Sequence, residues 1–357
     1  MCADIGELVR PVVRTLPPAG PFSPRPEHRG EVNLRFNENT FGGDCLRYPD
    51  TGLGPLITAY LAALDQLDPS PEGHPGVQGP ENVCLTRGAV DALELLLRTF
   101  FEPGADAIAT TPPVFGFFDR LTALHGLPRH HVPLLGPHHD RLDVARLLRL
   151  PVKGILLCDP GNPTGARLHG SDVAALLEGF PGLVVIDETY AEVAPGPSHR
   201  HRIAAHPRLL VLRSLSKGFG MAGLRLGAIL ADPAAVTALR GAQAPFPVPC
   251  EVVARALAEL SRPAELGRRI ALFVAQRDRL AAALARSPLV RHVAADAGFV
   301  TIHVTDTARV ADALARARLA AVVEPDGLRE HVRISIGRPN ENRRTVAALA
   351  ALEYPAS

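Results

Sequence analysis

Three side chains have types and spacing suited to covalent chemistry on a carbonyl cofactor. Lys217 stands in Ser214-Leu215-Ser216-Lys217-Gly218-Phe219-Gly220, thirty positions after Asp187 of Val184-Val185-Ile186-Asp187-Glu188-Thr189-Tyr190 and eight before Arg225. A lysine amine forms a Schiff base with an aldehyde, an aspartate keeps a pyridine nitrogen protonated, and hydroxyls with an arginine hold a phosphate. That ordered set is what pyridoxal 5′-phosphate asks of a protein. Lys217 supplies the amine, Asp187 faces the ring nitrogen, and Ser214, Ser216 and Arg225 take the phosphate.

Further residues extend the set. Asp187 closes an apolar run, which places it at the carboxyl end of a parallel strand, where open α/β sheets bind ligands. A carboxylate buried there is costly unless it meets a cation, and a pyridinium N–H is one. Tyr190, three residues on, is placed to reach the ring's phenolic oxygen. Asn162-Pro163-Thr164-Gly165 follows another apolar run, and a fixed proline beside Asn162 makes a rigid loop end that can aim an amide at that oxygen. Thr86-Arg87-Gly88-Ala89-Val90 opens a helix whose free N–H groups at Gly88, Ala89 and Val90 suit a phosphate. Phe115, after Thr111-Pro112-Pro113, is placed to stack on the ring. In His331-Val332-Arg333-Ile334-Ser335-Ile336-Gly337, alternation puts Val332, Ile334 and Ile336 toward a core and Arg333 with Ser335 on the opposite face. A guanidinium on a rigid strand suits bidentate capture of an α-carboxylate.

Each residue also has a plainer reading: a strand-end cap, a turn, a helix start capped by Thr86, a core aromatic, a solvated arginine. The plain readings must all hold together to displace the cofactor. The histidines of His130-His131, His138-His139 and His199-Arg200-His201 lie in polar, proline-containing connections without ligand spacing. They read as solvated loops, and no metal is expected.

These residues need a scaffold. From about Asn82 the pattern alternates strand and helix. Gly88 to Phe101 is amphipathic, and short apolar runs follow at Ala107–Thr110, Ile155–Cys158, Leu183–Ile186, Leu209–Leu212 and Leu226–Leu230. Continuous apolar strands between helices such as Ser171–Leu177 predict a mainly parallel sheet covered on both faces. Glu251 to Arg286 reads as a long helix interrupted at Pro263. Strands are then expected at Phe299–Val304, Ala320–Val323 and Val332–Ile336. The expected organisation is an N-terminal arm (1–45) that joins a small domain, a large cofactor-binding domain (46–250), and a small α+β domain (251–357). No internal repeat is visible.

Composition agrees with a soluble enzyme. The 357 residues include 46% apolar and 21% charged residues, and 38 basic residues face 37 acidic ones, for a net charge of +1. That balance gives no footprint for nucleic acid or an anionic membrane. No apolar run is long enough to span a membrane, and Met1 to Gly20 has no signal-peptide core. Five scattered cysteines, Cys2, Cys45, Cys84, Cys158 and Cys250, fit a reduced cytoplasm.

Together these residues resemble the fold-type I, class I/II pyridoxal-phosphate-dependent aminotransferases, and within them the histidinol-phosphate aminotransferase branch, from about Leu34 to Glu353. Leu34-Arg35-Phe36-Asn37-Glu38-Asn39 is similar to the branch's N-terminal motif. Arg47-Tyr48-Pro49-Asp50 is similar to a segment whose tyrosine reaches the phosphate of the neighbouring subunit's cofactor. The resemblance implies a homodimer with both sites at the interface, an amino acid and a 2-oxo acid as substrates, and a substrate-binding role for Asn37, Asn162 and Arg333. Phe115 stands where a tyrosine is frequent and Thr40 where a proline is. Glu324, in Val322-Val323-Glu324-Pro325, stands where an arginine that holds a substrate phosphate is usual. An acid there would favour a neutral or cationic side chain. Two alternatives remain at this stage: a decarboxylase or other lyase of the threonine-phosphate type on the same cofactor, and a ligand-sensing domain without activity. The second lacks the basic DNA-binding module it would need before Leu34.

Overall fold

The computed structural model describes residues 4–16, 34–43, 47–49, 53–68, 77 and 79–353. Cys2, Cys45, Asp50 and most of the Pro- and Arg-rich N-terminal stretch lie outside the described residues. Helices in chain order are α1 (Ile5–Leu8), α2 (Pro11–Thr15), α3 (Gly54–Leu67), α4 (Ala89–Phe100), α5 (Phe117–Leu124) and α6 (Val144–Leu147). They continue with α7 (Gly170–Gly179), α8 (Pro233–Ala242), α9 (Cys250–Leu260), α10 (Pro263–Leu284), α11 (Thr307–Arg316) and α12 (Pro339–Glu353).

The larger sheet holds β1 (Val83–Thr86), β2 (Ile108–Thr110), β3 (Arg129–His131), β4 (Gly154–Cys158), β5 (Leu183–Asp187), β6 (Leu209–Ser214) and β7 (Gly227–Leu230). Their spatial order is β1-β7-β6-β5-β4-β2-β3. Pairs from β6 through β3 are parallel, while β7 runs antiparallel to both β6 and β1. Alternate residues of each central strand enter opposite cores. Ile155, Leu157, Val184, Ile186 and Val211 pack with α3, α7 and α9. Leu156, Val185, Leu210 and Leu212 pack with α4, α5 and α8. The strands read as unbroken apolar runs because both faces are buried.

Reversal at β7 positions the chemistry. β6 ends and β7 begins at one edge of the sheet, the same edge where β4 and β5 end. The loop between them carries Lys217 and Arg225, so it lies over Asp187 and Cys158.

A second sheet, β10-β11-β9-β8, is antiparallel throughout and comprises β8 (Val290–Ala294), β9 (Phe299–Val304), β10 (Val322–Val323) and β11 (His331–Ser335). Its core residues Val300, Ile302, Val332 and Ile334 pack with α10, α11 and α12, so Arg333 faces the other way, as alternation requires. Proline divides the long helix as expected: α9 stops at Leu260, and Pro263 occupies the first turn of α10, where its missing N–H costs nothing.

Three expectations need correction. Residues 4–16 pack on the larger domain and not on the smaller one. Ile5 and Val9 are buried with α4 and α8, Arg10 N donates to Thr99 O, and its guanidinium clasps Glu102 at 3.0 Å. His130 and His131 belong to an edge strand, β3, whose polar composition gave no strand signal. His199, Arg200 and His201 form a buried helical turn and not a solvated loop. Acids pay for that burial: Asp159 accepts His199, and Asp68 takes Arg200 and His201. Among the described residues no helix is long and apolar enough to cross a membrane.

Candidate active site

A cleft of about 290 Å³ opens at the carboxyl ends of β4, β5 and β6. Asp187 forms its floor. It shares a sheet face with Val185 and is 7% exposed. Thr189 donates to its Oδ1 twice, from N at 2.9 Å and from Oγ1 at 2.6 Å. Burial pushes the carboxyl pKa up from its ordinary value, against those two bonds. The acid is therefore held as a carboxylate best when a cation stands opposite.

Lys217 stands above Asp187, reachable from solvent through the cleft, with Nζ 5.8 Å from the Tyr190 ring centroid. Partial burial lowers its pKa first, and the charges of Arg333 and Arg225 lower it further, against Asp187. More of the amine is free near neutrality than in water, which suits a nucleophile. Tyr190 is buried, meets Phe299 edge to face at 5.2 Å, and has its hydroxyl pKa pushed up chiefly by burial. It therefore stays a hydrogen-bond donor.

One end of the cleft is an anion cradle. Ala89 and Val90 line it at the amino end of α4. Gly88 precedes them at φ +89°, and an added Cβ there would meet Arg225 Nη2 at 2.8 Å. Arg225 Nη1 donates to Ser216 Oγ at 3.2 Å, and Ser216 N donates to Ser214 Oγ at 3.2 Å. Thr86 does not cap the helix by its hydroxyl; it donates to Gly88 O and fixes the turn. A helix amino end, two hydroxyls and a guanidinium around one space suit a phosphate. No Cβ fits at Gly88 without moving the guanidinium, so the cradle is shaped for a ligand's close approach.

Aromatic residues make the opposite wall. Phe115 borders the cleft and stacks on Phe117 with centroids 5.3 Å apart. Arg333 reaches in from β11, donates from Nη1 to Asn162 Oδ1, and lies 5.3 Å from the Phe299 centroid. The smaller sheet thus contributes to a site built mainly on the larger one. Among the described residues no cluster of histidine, cysteine or acid side chains has metal-binding geometry.

Three residues assigned a site role lie elsewhere. Asn37 and Tyr48 border a separate cleft with Pro249 and Cys250, and Tyr48 stacks on Phe246 at 4.4 Å. Glu324 accepts from Glu330 N and Thr307 Oγ1 in an exposed turn, outside the Lys217 cleft. A local turn holds one oxygen of its carboxylate. Conversely, sequence reading passed over Thr189, Cys158, Phe117 and Phe118, which border the cleft. Thr189 carried a signal, since an Asp-x-Thr step lets the hydroxyl and N–H turn back on the acid.

An amine over a buried acid, beside an anion cradle at the ends of parallel strands, defines a class of enzyme that works through a phosphorylated pyridine aldehyde. The comparisons name the family. Residues 32–349 match the model for "Aminotransferase class I and II". A histidinol-phosphate aminotransferase of Stenotrophomonas maltophilia is 36% identical over 374 residues, covering 98% of this chain and 97% of the relative. One from Xanthomonas campestris is 34% identical over 369 residues, covering 97% of each. The fold is also similar to that of solved histidinol-phosphate aminotransferases. The one from Clostridium acetobutylicum has TM-score 0.74 and 19% identity, covering 87% of this chain and 92% of that one. The one from Sinorhizobium meliloti, in complex with pyridoxal-5′-phosphate, has TM-score 0.71 and 24% identity, covering 88% of each. The chain belongs to the class I and II aminotransferases, and it is a pyridoxal 5′-phosphate-dependent enzyme that transfers amino groups.

Proposed function

We propose that the Lys217 cleft is the transamination site and that its donor carries an anionic group, held by Arg333. When bound, pyridoxal 5′-phosphate supplies an aldehyde that exchanges between amines and a ring that takes up the electron pair released at the donor's α-carbon. The residues fit that group: a cation-seeking acid in Asp187, a cradle at Gly88, Ala89, Val90, Ser214, Ser216 and Arg225, and an aromatic face at Phe115. Asn162 and Tyr190 offer N–H and O–H donors toward a ring oxygen.

The chain's own steps follow from the electrostatics. Lys217 Nζ, with its pKa lowered, would take the proton from the donor's α-carbon. Asp187 Oδ1 is fixed by Thr189, which holds the carboxylate in place as charge develops opposite it. Arg333, braced by Asn162, orients the donor. The aromatic wall of Phe115, Phe117 and Phe118 limits water on one side. A 2-oxo acid then accepts the amino group.

The donor is an α-amino acid or an amino-alcohol phosphate, and histidinol phosphate comes first, because the full-length relatives are named for it. Glu324 no longer argues against a phosphate, since its carboxylate accepts the Glu330 N–H and does not line the Lys217 cleft. We further propose a homodimer in which Tyr48, remote from its own Lys217, serves the phosphate of the other subunit's cofactor.

One observation carries the reading: Lys217 stands over a buried acid in the cleft where an anion cradle and a second arginine converge. Lys217→Ala is expected to lose borohydride-fixed cofactor and all amino transfer from histidinol phosphate to 2-oxoglutarate. Mixing Lys217→Ala with Tyr48→Ala is expected to restore part of the activity through hybrid dimers. A Lys217→Ala protein that still fixes cofactor sinks the assignment; mixtures without recovery sink the shared site.

A further inference from the structure

Five histidines meet where the two domains touch, outside the cleft. Register pairs His292 of β8 with His303 of β9, and His303 with His331 of β11. Three imidazoles therefore stand in one row across the smaller sheet. Period two along the strands puts His303 on the face of Thr301 and His331 on the face of Arg333. That face meets the larger domain: Thr301 Oγ1 donates to Pro163 O at 2.8 Å, and Arg333 donates to Asn162. The loop joining Leu135 to Arg141 brings His138 and His139 to the same row from the larger domain. His138 stacks on His292 with centroids 4.0 Å apart, and His303 stacks on His331 at 4.6 Å.

We propose that this cluster is a proton-sensitive clasp that positions Arg333, closed while its imidazoles are neutral and opened by protonation. Closed, it holds β8, and through the sheet β9 and β11, against the 135–141 loop and so keeps Arg333 at Asn162, two residues along the strand from His331. The effect on substrate rests on reading Arg333 as the anion-binding residue.

The acids around the row are already engaged, Glu330 with His303 among them. Asp140 of the loop faces His169 at 3.6 Å, and Arg141 is tied to Asp172. Glu330 already takes His303 at 3.2 Å and Arg291 at 3.6 Å, while Glu324 accepts the Glu330 N–H. His331 Nδ1 is bonded to Arg329 O. Burial lowers the pKa of His139, His292 and His331. The neighbouring imidazoles lower each further, opposed at His139 by Leu134 and Asp140, at His292 by Asp140, and at His331 by Arg329 O and Glu330. At His139, His292 and His331 the closed junction thus binds protons more weakly than an open one, whose imidazoles take the ordinary histidine value. Contact is at full strength above that value and fades as pH falls through and below it.

The test uses the holoenzyme and one amino donor, so that donor and cofactor ionisation are common to every variant. Wild type is therefore expected to show a KM for the donor severalfold higher at about pH 5.5 than at about pH 7.5, with a smaller change in kcat. His138→Phe and His292→Phe each keep a stacked ring without a proton site and are expected to reduce that rise in KM. His138→Ala is expected to raise KM at both values. His138 is exposed on its loop, so its variants fold even if those of His292 do not. Wild-type pH dependence in His138→Phe, while Arg333→Gln raises KM, would overturn the clasp alone. An unchanged KM in Arg333→Gln would overturn the reading of Arg333, and with it the positioning role. A ring NMR signal of His292 that titrates as a free imidazole would also overturn the clasp.

Discussion

Gly88→Ala tests the anion cradle most directly. Gly88 has φ +89° and ψ 172°, a region open almost only to glycine, so an alanine there costs about 1–3 kcal/mol of backbone strain. Space is a second obstacle. The new Cβ would lie 2.8 Å from Arg225 Nη2, and the guanidinium, as the far end of a flexible side chain, is what moves. The opposite side offers no relief, because Gly227 packs so closely that its own Cβ would fall 2.7 Å from Gly88 C. Arg225 then leaves the phosphate position and one charge-assisted bond is lost, about 1.5–3 kcal/mol. Arg225 is exposed, so the lower figure applies, and cofactor affinity falls roughly tenfold. Apoprotein is titrated with pyridoxal 5′-phosphate by absorbance, and stability is followed by urea unfolding. Gly104→Ala is the control, since Gly104 has φ +74° and nothing within 4 Å. It is expected to lose about 1 kcal/mol of stability and no affinity. Equal affinity in the two variants would refute the cradle.

Three other outcomes are expected. Arg213 is buried between Glu188 at 2.9 Å and Glu192 at 2.7 Å, so Arg213→Met strands two carboxylates and costs about 3–5 kcal/mol in urea unfolding; a loss below about 1 kcal/mol contradicts this. Asp159 is pushed up by burial, but the His199 hydrogen bond and the Arg167 charge outweigh that and hold it below 3.8. Native protein then binds fewer protons than unfolded protein, so stability is lost as pH falls below about 3.8, and Asp159→Asn should flatten that limb in acid unfolding curves. Arg333→Gln removes one of the cations that lower Lys217, so labelling of Lys217 by an amine reagent in apoprotein should titrate at higher pH; an unmoved midpoint rules out the contact.

Much of the catalytic end was legible because parallel strands buried on both faces produce unbroken apolar runs. The residue that closes such a run sits at the ligand edge, which is how Asp187 and the Asn162 loop could be placed. Arg333 was legible from period two on β11. The misplaced residues were those whose position depends on partners distant in sequence. His199 and Arg200 look solvated in a polar stretch, yet Asp159 and Asp68, far back in the chain, let them be buried. Glu324 was expected at a ligand-binding position, yet a tight turn at φ +45° gives its carboxylate the Glu330 N–H. β3 carries Arg-His-His at a sheet edge, where no apolar pattern is required.

Residue types and local periods were enough to determine the chemistry: an amine, an acid, an anion cradle and an arginine, each tied to its own strand or helix end. Tertiary structure decided which of them share a space. It set β7 antiparallel so that Lys217 and Arg225 return over Asp187, kept Asn37, Tyr48 and Glu324 out of that cleft, and brought five histidines from four segments to one junction. Local elements follow from neighbours along the chain, whereas convergence follows from sheet order and domain contact, which are set by burial summed over the whole molecule.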